Sequence, residues 1–327
     1  MKQQRFEQAH QREWQDFATQ LDALEHGKSG AEHRRFGAAY RRLCQHLALA
    51  EARGYSGHLV ERLGQLALRG HQQLYRHREH LGARSIGFLL AGFPRLVREE
   101  WRYVLTAGLL FFGSLLGMGL LVYFFPELIY SLVSPERVAQ MEAMYDPDAS
   151  RLGRFGEGER GSGIDWLMFG YYVMNNVGIA FQTFASGLLL GLGSLFFLLY
   201  NGLTIGAIAG HLIRIGYQDN FLSFIVGHGA FELTAIVLSG AAGLELGWAL
   251  LAPGRLRRDE ALRRAAARSV RLIAGVLAML LIAAFIEAYW SSMTFVAAPL
   301  KYLVGALLWL LVAAYFLLAG RDRHAPD

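Results

Sequence analysis

Apolar and polar positions alternate differently in the two parts of this chain. Up to about residue 81, apolar side chains recur at helical spacing among charged ones, whereas beyond residue 103 they fuse into long runs. In residues 3–25, Trp14, Phe17, Leu21 and Leu24 fall on one helical face. His26 to Gly30 breaks that helix, and a second helix over 31–52 aligns Phe36, Tyr40, Leu43 and Leu47. Gly54-Tyr55-Ser56-Gly57 supplies the next turn, and a third helix over 58–81 carries Val60, Leu63, Ala67, Leu74 and Leu81. Three amphipathic helices joined by short breaks predict a small helical bundle over residues 1–85.

Residues 86–102 then place Phe88, Leu89, Phe93, Leu96, Val97 and Trp101 opposite Arg95, Arg98, Glu99 and Glu100. An aromatic, basic amphipathic segment just before an apolar run is expected to lie in a membrane interface. Pro94 either kinks this segment or starts a fresh helix.

A membrane-spanning helix needs about 20 apolar residues, and residues 103–320 supply several such runs. The pattern predicts six crossings, at about 103–125, 166–185, 187–212, 221–251, 270–290 and 298–319. The fold class is therefore all-α: a polytopic helical membrane protein with an N-terminal helical bundle. Residues 126–165 hold eight acidic and four basic residues, with glycines near 153–163, and read as an external loop, flexible in part. Residues 252–271 hold seven arginines against Asp259 and Glu260 and read as a cytoplasmic loop. An odd number of crossings must separate the two, and the three runs between them satisfy that. The run at 166–185 is the least apolar; an alternative helix would continue through it to residue 199 and break at Asn201-Gly202. Arg321, Arg323 and His324 return the carboxyl terminus to the cytoplasm, which places both termini there.

Polar groups inside the apolar runs are the candidate chemistry. Asn175, Asn176, Gln182, Asn201, His228, Glu232, Glu245 and Glu287 all fall there, and such residues face a bundle interior or a cavity because hydrocarbon offers them no partner. His228 and Glu232 stand four apart and share a helix face. That is half of what a metal-binding helix offers, but the remaining ligands are missing, so no metal and no other cofactor is expected. A hydrogen-bonded pair pinning two helices and a proton relay or substrate contact are the other readings. Glu245 lies thirteen residues on, on a different face, near enough to the arginines to pair with one. Glu287 sits beside Tyr289 and Trp290 and looks interfacial. Glycines at 187, 191, 202, 206, 210, 243 and 247 repeat the small-xxx-small spacing that lets helix backbones approach closely.

Charge and cysteine content narrow the classes further. The formal net charge is +5, but the arginines cluster between apolar runs, where they serve topology, and no nucleic-acid-binding motif accompanies them. Cys44, the one cysteine, precludes an intrachain disulfide and is expected to be a buried structural thiol. No apolar h-region follows the amino terminus, so residues 1–85 are expected in the cytoplasm. No phosphate-binding loop, nucleophile triad or carboxylate pair is evident, and the expectation is a non-enzymatic protein.

The run from Asn175 to Gly206, then HGAFELTAIVLSGAAGLELGWALLAPG followed by arginines, then IAAFIEAYW at 282–290, resembles the stage II sporulation protein M family. Residues 1–85 are similar to the longer, non-sporulation members, in FGAAYRRL around Tyr40 and Arg41 and in LGQLALRGHQQLY through His71 and Tyr75. These four residues are the candidate docking positions. The resemblance implies a bacterial inner-membrane protein without catalytic residues. The sporulation member anchors cell-wall-degrading partners, while longer members are encoded beside AAA+ ATPases. A scaffold or anchor for partner proteins in the cell envelope follows, in contact with membrane lipids, with an ATPase among the cytoplasmic partners and a homo-oligomer as one assembly. The alternative is a permease-like module for a lipid or cell-wall precursor, which glycine-interrupted spans with polar groups at mid-membrane would suit.

Overall fold

The computed structural model describes residues 3–25, 33–148 and 162–321, without the side chains of 33–35, 74–84 and 162–164. Leu74, Leu81, the glycines near 153–161, Arg323 and His324 lie outside the described side chains or residues. The described residues contain helices and no strand, and they divide into two units, 1–87 and 88–327.

The first unit holds α1 (Gln3–Glu25), α2 (His33–Ala52) and α3 (Gly57–Gly87). The third helix runs beyond residue 81, because nothing in HREHLGARSIG stops it. Phe6, Trp14, Phe17 and Leu21 from α1 meet Phe36, Leu43 and Ala50 from α2 and Leu59, Leu63 and Leu66 from α3 in one core. Gly54, at φ +62°, closes α2 in the left-handed conformation glycine tolerates, and the Tyr55 N–H returns to the Ala50 carbonyl at 3.0 Å. The Arg69 guanidinium forks between Asp22 and Glu25, each at 2.6 Å, tying α3 to α1. Hydrogen bonds to Glu25 and then Asp22 raise its pKa above the usual arginine range. Cys44 is half-buried, not fully enclosed, because it sits one position off the Leu43 stripe.

The second unit opens with a π-helical turn, Phe88–Gly92, followed by α4 (Phe93–Glu99), α5 (Trp101–Phe124), a 3₁₀ turn (Pro126–Ser131) and α6 (Pro135–Tyr145). Then come α7 (Ser162–Ala185), a 3₁₀ turn (Ser186–Leu188), α8 (Leu192–Arg214), α9 (Gln218–Leu251), α10 (Arg258–Ile286), a second π-helical turn (Glu287–Ser291) and α11 (Ala298–Leu318). Pro94 stands in the first turn of α4, where its missing N–H costs nothing. The apolar side of α4 is covered by protein, unlike that of a segment lying free in the interface. Phe93, Leu96 and Val97 are buried in the main core, the Phe93 ring filling the space that Gly275 leaves on α10. Two arginines of α4 reach the end of the last helix. Arg98 donates to the carbonyls of Phe316 at 2.6 Å and Ala319 at 2.8 Å, and Arg95 to that of Gly320 at 3.2 Å. They satisfy acceptors that the end of α11 leaves unpaired.

The long helix α9 runs through the middle, flanked by α5, α7, α8, α10 and α11. Its interior face is largely glycine, alanine and serine from Gly227 to Gly247, which lets neighbours come close. On α8, Gly202, Gly206 and Gly210 lie against Phe111–Ser114, Leu115 and Gly119 of α5, and Gly243 and Gly247 of α9 receive the turn around Gly187 and Gly191. The glycine spacing is thus used within the chain. Rows of exposed leucines on the outer faces of α5 (Leu105, Leu109, Leu116, Leu120) and α11 (Leu303, Leu307, Leu310, Leu317) suit a hydrocarbon surrounding.

Among the described residues, five helices are long and apolar enough to cross a membrane: α5, α8, α9, α10 with its π turn, and α11. The sixth predicted crossing, α7, falls short in apolarity because Asn175, Asn176 and Gln182 interrupt it. Its 24 residues are nevertheless about 36 Å long. Contacts between helix ends decide its course. Arg268 near the start of α10 pairs with Glu100 at the start of α5 at 3.0 Å, and Arg98 caps the end of α11, so those three ends lie together. Arg214 at the end of α8 donates to the Tyr123 carbonyl at the end of α5 at 2.6 Å, which marks the opposite side. Trp166 near the start of α7 lies edge-on to Tyr289 beyond the end of α10, and the turn after α7 packs on Gly243 and Gly247 beside Glu245, so α7 runs from one end of the bundle to the other. The turn between α7 and α8 occupies residues 186–191, with Leu190 (φ 55°) and Gly191 (φ 82°) both left-handed. That excludes the alternative helix: α8 passes uninterrupted through Asn201-Gly202, where the Asn201 amide donates to the Phe197 carbonyl at 2.7 Å.

Two connections differ from expectation. Residues 126–148 are ordered as the 3₁₀ turn and α6, the latter started by Ser134, whose Oγ accepts the Arg137 N–H, and by Pro135 at its first position. Most of 252–271 is helix, since α10 begins at Arg258 with Asp259 and Glu260 in its first turn, complementing the helix dipole.

Candidate functional site

A cavity of about 230 Å³ opens among α6, α7, α8, α9 and the π turn that follows α10. Two of its polar groups come from α9: His228 and Glu232, one turn apart on the face toward α7 and the π turn. Asn175 and Asn176 come from α7, and Glu287 opens the π turn. Apolar walls are supplied by Met141 and Tyr145 of α6, Ile205 and Ile208 of α8, and Phe221 and Phe224 of α9. Arg137 of α6 also lines it and is exposed, so the cavity reaches the surface at the end of the bundle away from the α10 arginines.

The polar groups are held individually. His228 Nδ1 and the Ser291 hydroxyl are 3.0 Å apart, which ties α9 to the π turn. His228 Nε2 points toward Glu232 Oε2 at 4.0 Å, beyond hydrogen-bond distance. That carboxylate oxygen is buried with no hydrogen-bond partner among the described residues. The Asn175 amide donates to Asn176 Oδ1 at 2.8 Å, and Asn176 is itself buried against the cavity. The ligand-capable atoms of His228, Glu232 and Glu287 all lie within 4.8 Å of one another.

Glu287 therefore lines the cavity instead of standing on the outer surface beside Tyr289 and Trp290. It is 9% exposed and turned inward, because the wider π turn shifts side chains out of the α-helical phase that carries Phe285 outward. Gln182 is exposed and does not line the cavity, and Asn201 spends its amide on its own helix. Glu245 lies on a different face from Glu232 and pairs with Arg268 at 2.6 Å; its other oxygen accepts from Ser269 at 3.0 Å. The arginine comes from within α10 and is shared with Glu100, making a polar knot at the far end of the bundle from the cavity.

Of the docking candidates in the first unit, Tyr40 and His71 approach each other at 3.5 Å between α2 and α3, and Arg41 is exposed. The Tyr75 side chain lies outside the described residues.

Three groupings escaped the sequence pattern. Lys301 of α11 is 1% exposed and donates to the Ser291 carbonyl at 2.9 Å, beside His228; a lone lysine within an apolar run was the available signal. His211 of α8 meets Glu142 of α6 at 2.7 Å, a pairing that needs the fold of α6 to be known. In the first unit, His10, Glu13 and His46 cluster within 4.8 Å. There Trp14 donates to His46 Nδ1 at 3.1 Å, and burial, then the nearby His10, hold the His46 imidazole below its ordinary value.

The cavity and its polar groups all fall within residues 104–292, the stretch matched by the family model for stage II sporulation protein M. That stretch is more than half of the chain. The chain belongs to the stage II sporulation protein M family. The matched region runs from α5 to the π turn, so the cavity lies within the family's shared portion, and α11 with Lys301 lies beyond it. Residues 4–76, the greater part of the first unit, match a second family model, described as a domain of unknown function (DUF8413). No curated relative and no solved structure matches the chain.

Proposed function

We propose that this stage II sporulation protein M family member is a non-enzymatic scaffold of the bacterial inner membrane, with a cytoplasmic bundle that docks a partner protein. The observation that carries the reading is the division into two units. Residues 1–87 enclose an aromatic core built from their own three helices, as a unit that presents a surface to a partner would. Charge supports a cytoplasmic orientation for both termini: Arg255, Arg257, Arg258, Arg263 and Arg264 crowd the α10 end, where the starts of α5 and α10 meet, and basic residues favour the inside. A soluble ATPase is the partner class that the longer relatives suggest, and the setting is the cell envelope.

The test is deletion of residues 1–87. The truncated protein is expected to insert and remain folded in the membrane while losing both its cellular activity and a co-purifying partner. Full activity of the truncation overturns the docking role.

The cavity favours a second reading, a permease-like module. Its size weighs against a lipid or cell-wall precursor, since about 230 Å³ is below the roughly 300–1,000 Å³ of sites for drug-sized molecules. An ion or a small solute is the cargo it would suit. Uptake into proteoliposomes that is lost in Glu232→Gln would favour this reading over the scaffold.

A further inference from the structure

We propose that His228, Glu232 and Glu287 bind one divalent first-row transition-metal ion, zinc or a close relative, at the inner end of the cavity. The three side chains come from two elements brought together by the fold, and their ligand atoms already lie within 4.8 Å of one another. Metal–ligand distances of about 2.0–2.2 Å place ligand atoms up to roughly 4 Å apart. Closing on an ion thus asks for a few tenths of an ångström at each side chain. His228 Nε2 and Glu232 Oε2, at 4.0 Å, already meet that spacing.

The surroundings match a ligand set in three further ways. A metal-binding histidine generally engages a second partner through its other ring nitrogen, and His228 Nδ1 is held by Ser291 at 3.0 Å, which aims Nε2 at the carboxylates. Two carboxylates sharing this space repel at low dielectric, and a divalent cation held between them offsets that repulsion. The cavity leaves room for the water that completes a three-ligand site, and it opens at exposed Arg137, which gives an entry path. One imidazole with two carboxylates suits zinc or manganese better than calcium, which favours all-oxygen sites, or copper(I), which favours sulfur. The cluster at His10, Glu13 and His46 fits less well. Its His46 Nδ1 accepts the Trp14 N–H, so the proton of a neutral ring occupies Nε2.

The site is independent of what the bundle docks. Its test uses the full chain in detergent micelles, stripped with chelator and titrated with Zn²⁺ by calorimetry, in a His46→Gln background that removes the bundle cluster. One equivalent is expected to bind. Glu287→Gln and Glu232→Gln are expected to weaken binding by more than about 100-fold and Ser291→Ala by about 10- to 100-fold, each with the metal-free melting temperature kept. Wild-type stoichiometry and affinity in both glutamine variants overturn the assignment, as does absence of stoichiometric binding in the parent. If a variant fails to fold, Co²⁺ in the parent protein decides: a visible spectrum of low-symmetry nitrogen–oxygen coordination supports the site, and the spectrum of hydrated Co²⁺ alone overturns it.

Discussion

Adding one methyl group at Gly206 tests whether the α5–α8 contact is as close as described. A Cβ there would stand 2.2 Å from the Leu115 carbonyl oxygen and 2.9 Å from its carbon. Contacts this short are relieved only by moving backbone, since the obstacle is not a flexible side-chain end. Reaching an ordinary separation requires the two helices to part by about 1 Å, and overpacking of that kind costs about 1–3 kcal/mol. The same motion weakens the neighbouring contacts at Gly202 and Gly210, which lie on the same face. Alanine's better helix propensity offsets up to about 1 kcal/mol in an aqueous helix, so the net loss in Gly206→Ala is expected to be about 1–2 kcal/mol. Gly117→Ala is the control: nothing lies within 4 Å of its added methyl, and it should be neutral or slightly stabilising. Unfolding in mixed micelles, followed by tryptophan fluorescence against mole fraction of denaturing detergent, measures both. Equal midpoints for the two variants would refute the close approach.

Other expectations are equally direct. Arg268→Met leaves Glu245, 4% exposed, without its cation and should cost about 3–5 kcal/mol; adding Glu245→Gln should recover most of that loss, and a wild-type melting curve for the single variant would contradict the network. In residues 1–87 the neutral form of His46 is favoured by folding, so its contribution is complete above the ordinary value of 6.5 and is lost as pH falls below it. The fragment should melt lower at pH 5 than at pH 7.5, with a smaller difference in His46→Gln; unchanged pH dependence in that variant would exclude His46 as the source. In a Cys44→Ser background, Leu189→Cys should label from the same face of the membrane as Arg255→Cys, because α7 crosses fully; opposite labelling would break the six-pass course.

The helical class, five of the apolar spans and the two-part organisation could be read from spacing alone, because apolar runs and amphipathic stripes are local signals. His228 and Glu232 were paired correctly on one face for the same reason. Glu287 was misplaced because an interfacial motif and an inward π turn look alike in FIEAYW, and only the backbone phase distinguishes them. The approach of Glu287 to His228 and Glu232 could not be read for a related cause: it is 55 positions from Glu232, and proximity of that kind is set by packing. Six crossings were inferred from charge parity, whereas the pairing of helix ends rests on Arg268–Glu100 and Arg214–Tyr123, contacts that no sequence window contains.

The two arginines of α4 also bear on how the protein is made. Arg98 and the Phe316 carbonyl it holds are 218 positions apart, and synthesis at about 5–20 residues per second separates their emergence by roughly 10 to 45 seconds. During that interval the guanidinium must be satisfied by water or lipid phosphate, and the helices made first have no closing partner. The last helix therefore acts as the latch of the membrane unit. A chain terminated before residue 298 would leave the ribosome with the matched family region entire and the latch missing. Because the beginning and end of the unit meet at α4, a version with those ends joined and a new opening cut elsewhere, in the connection between α6 and α7, would place the latch in the middle of synthesis.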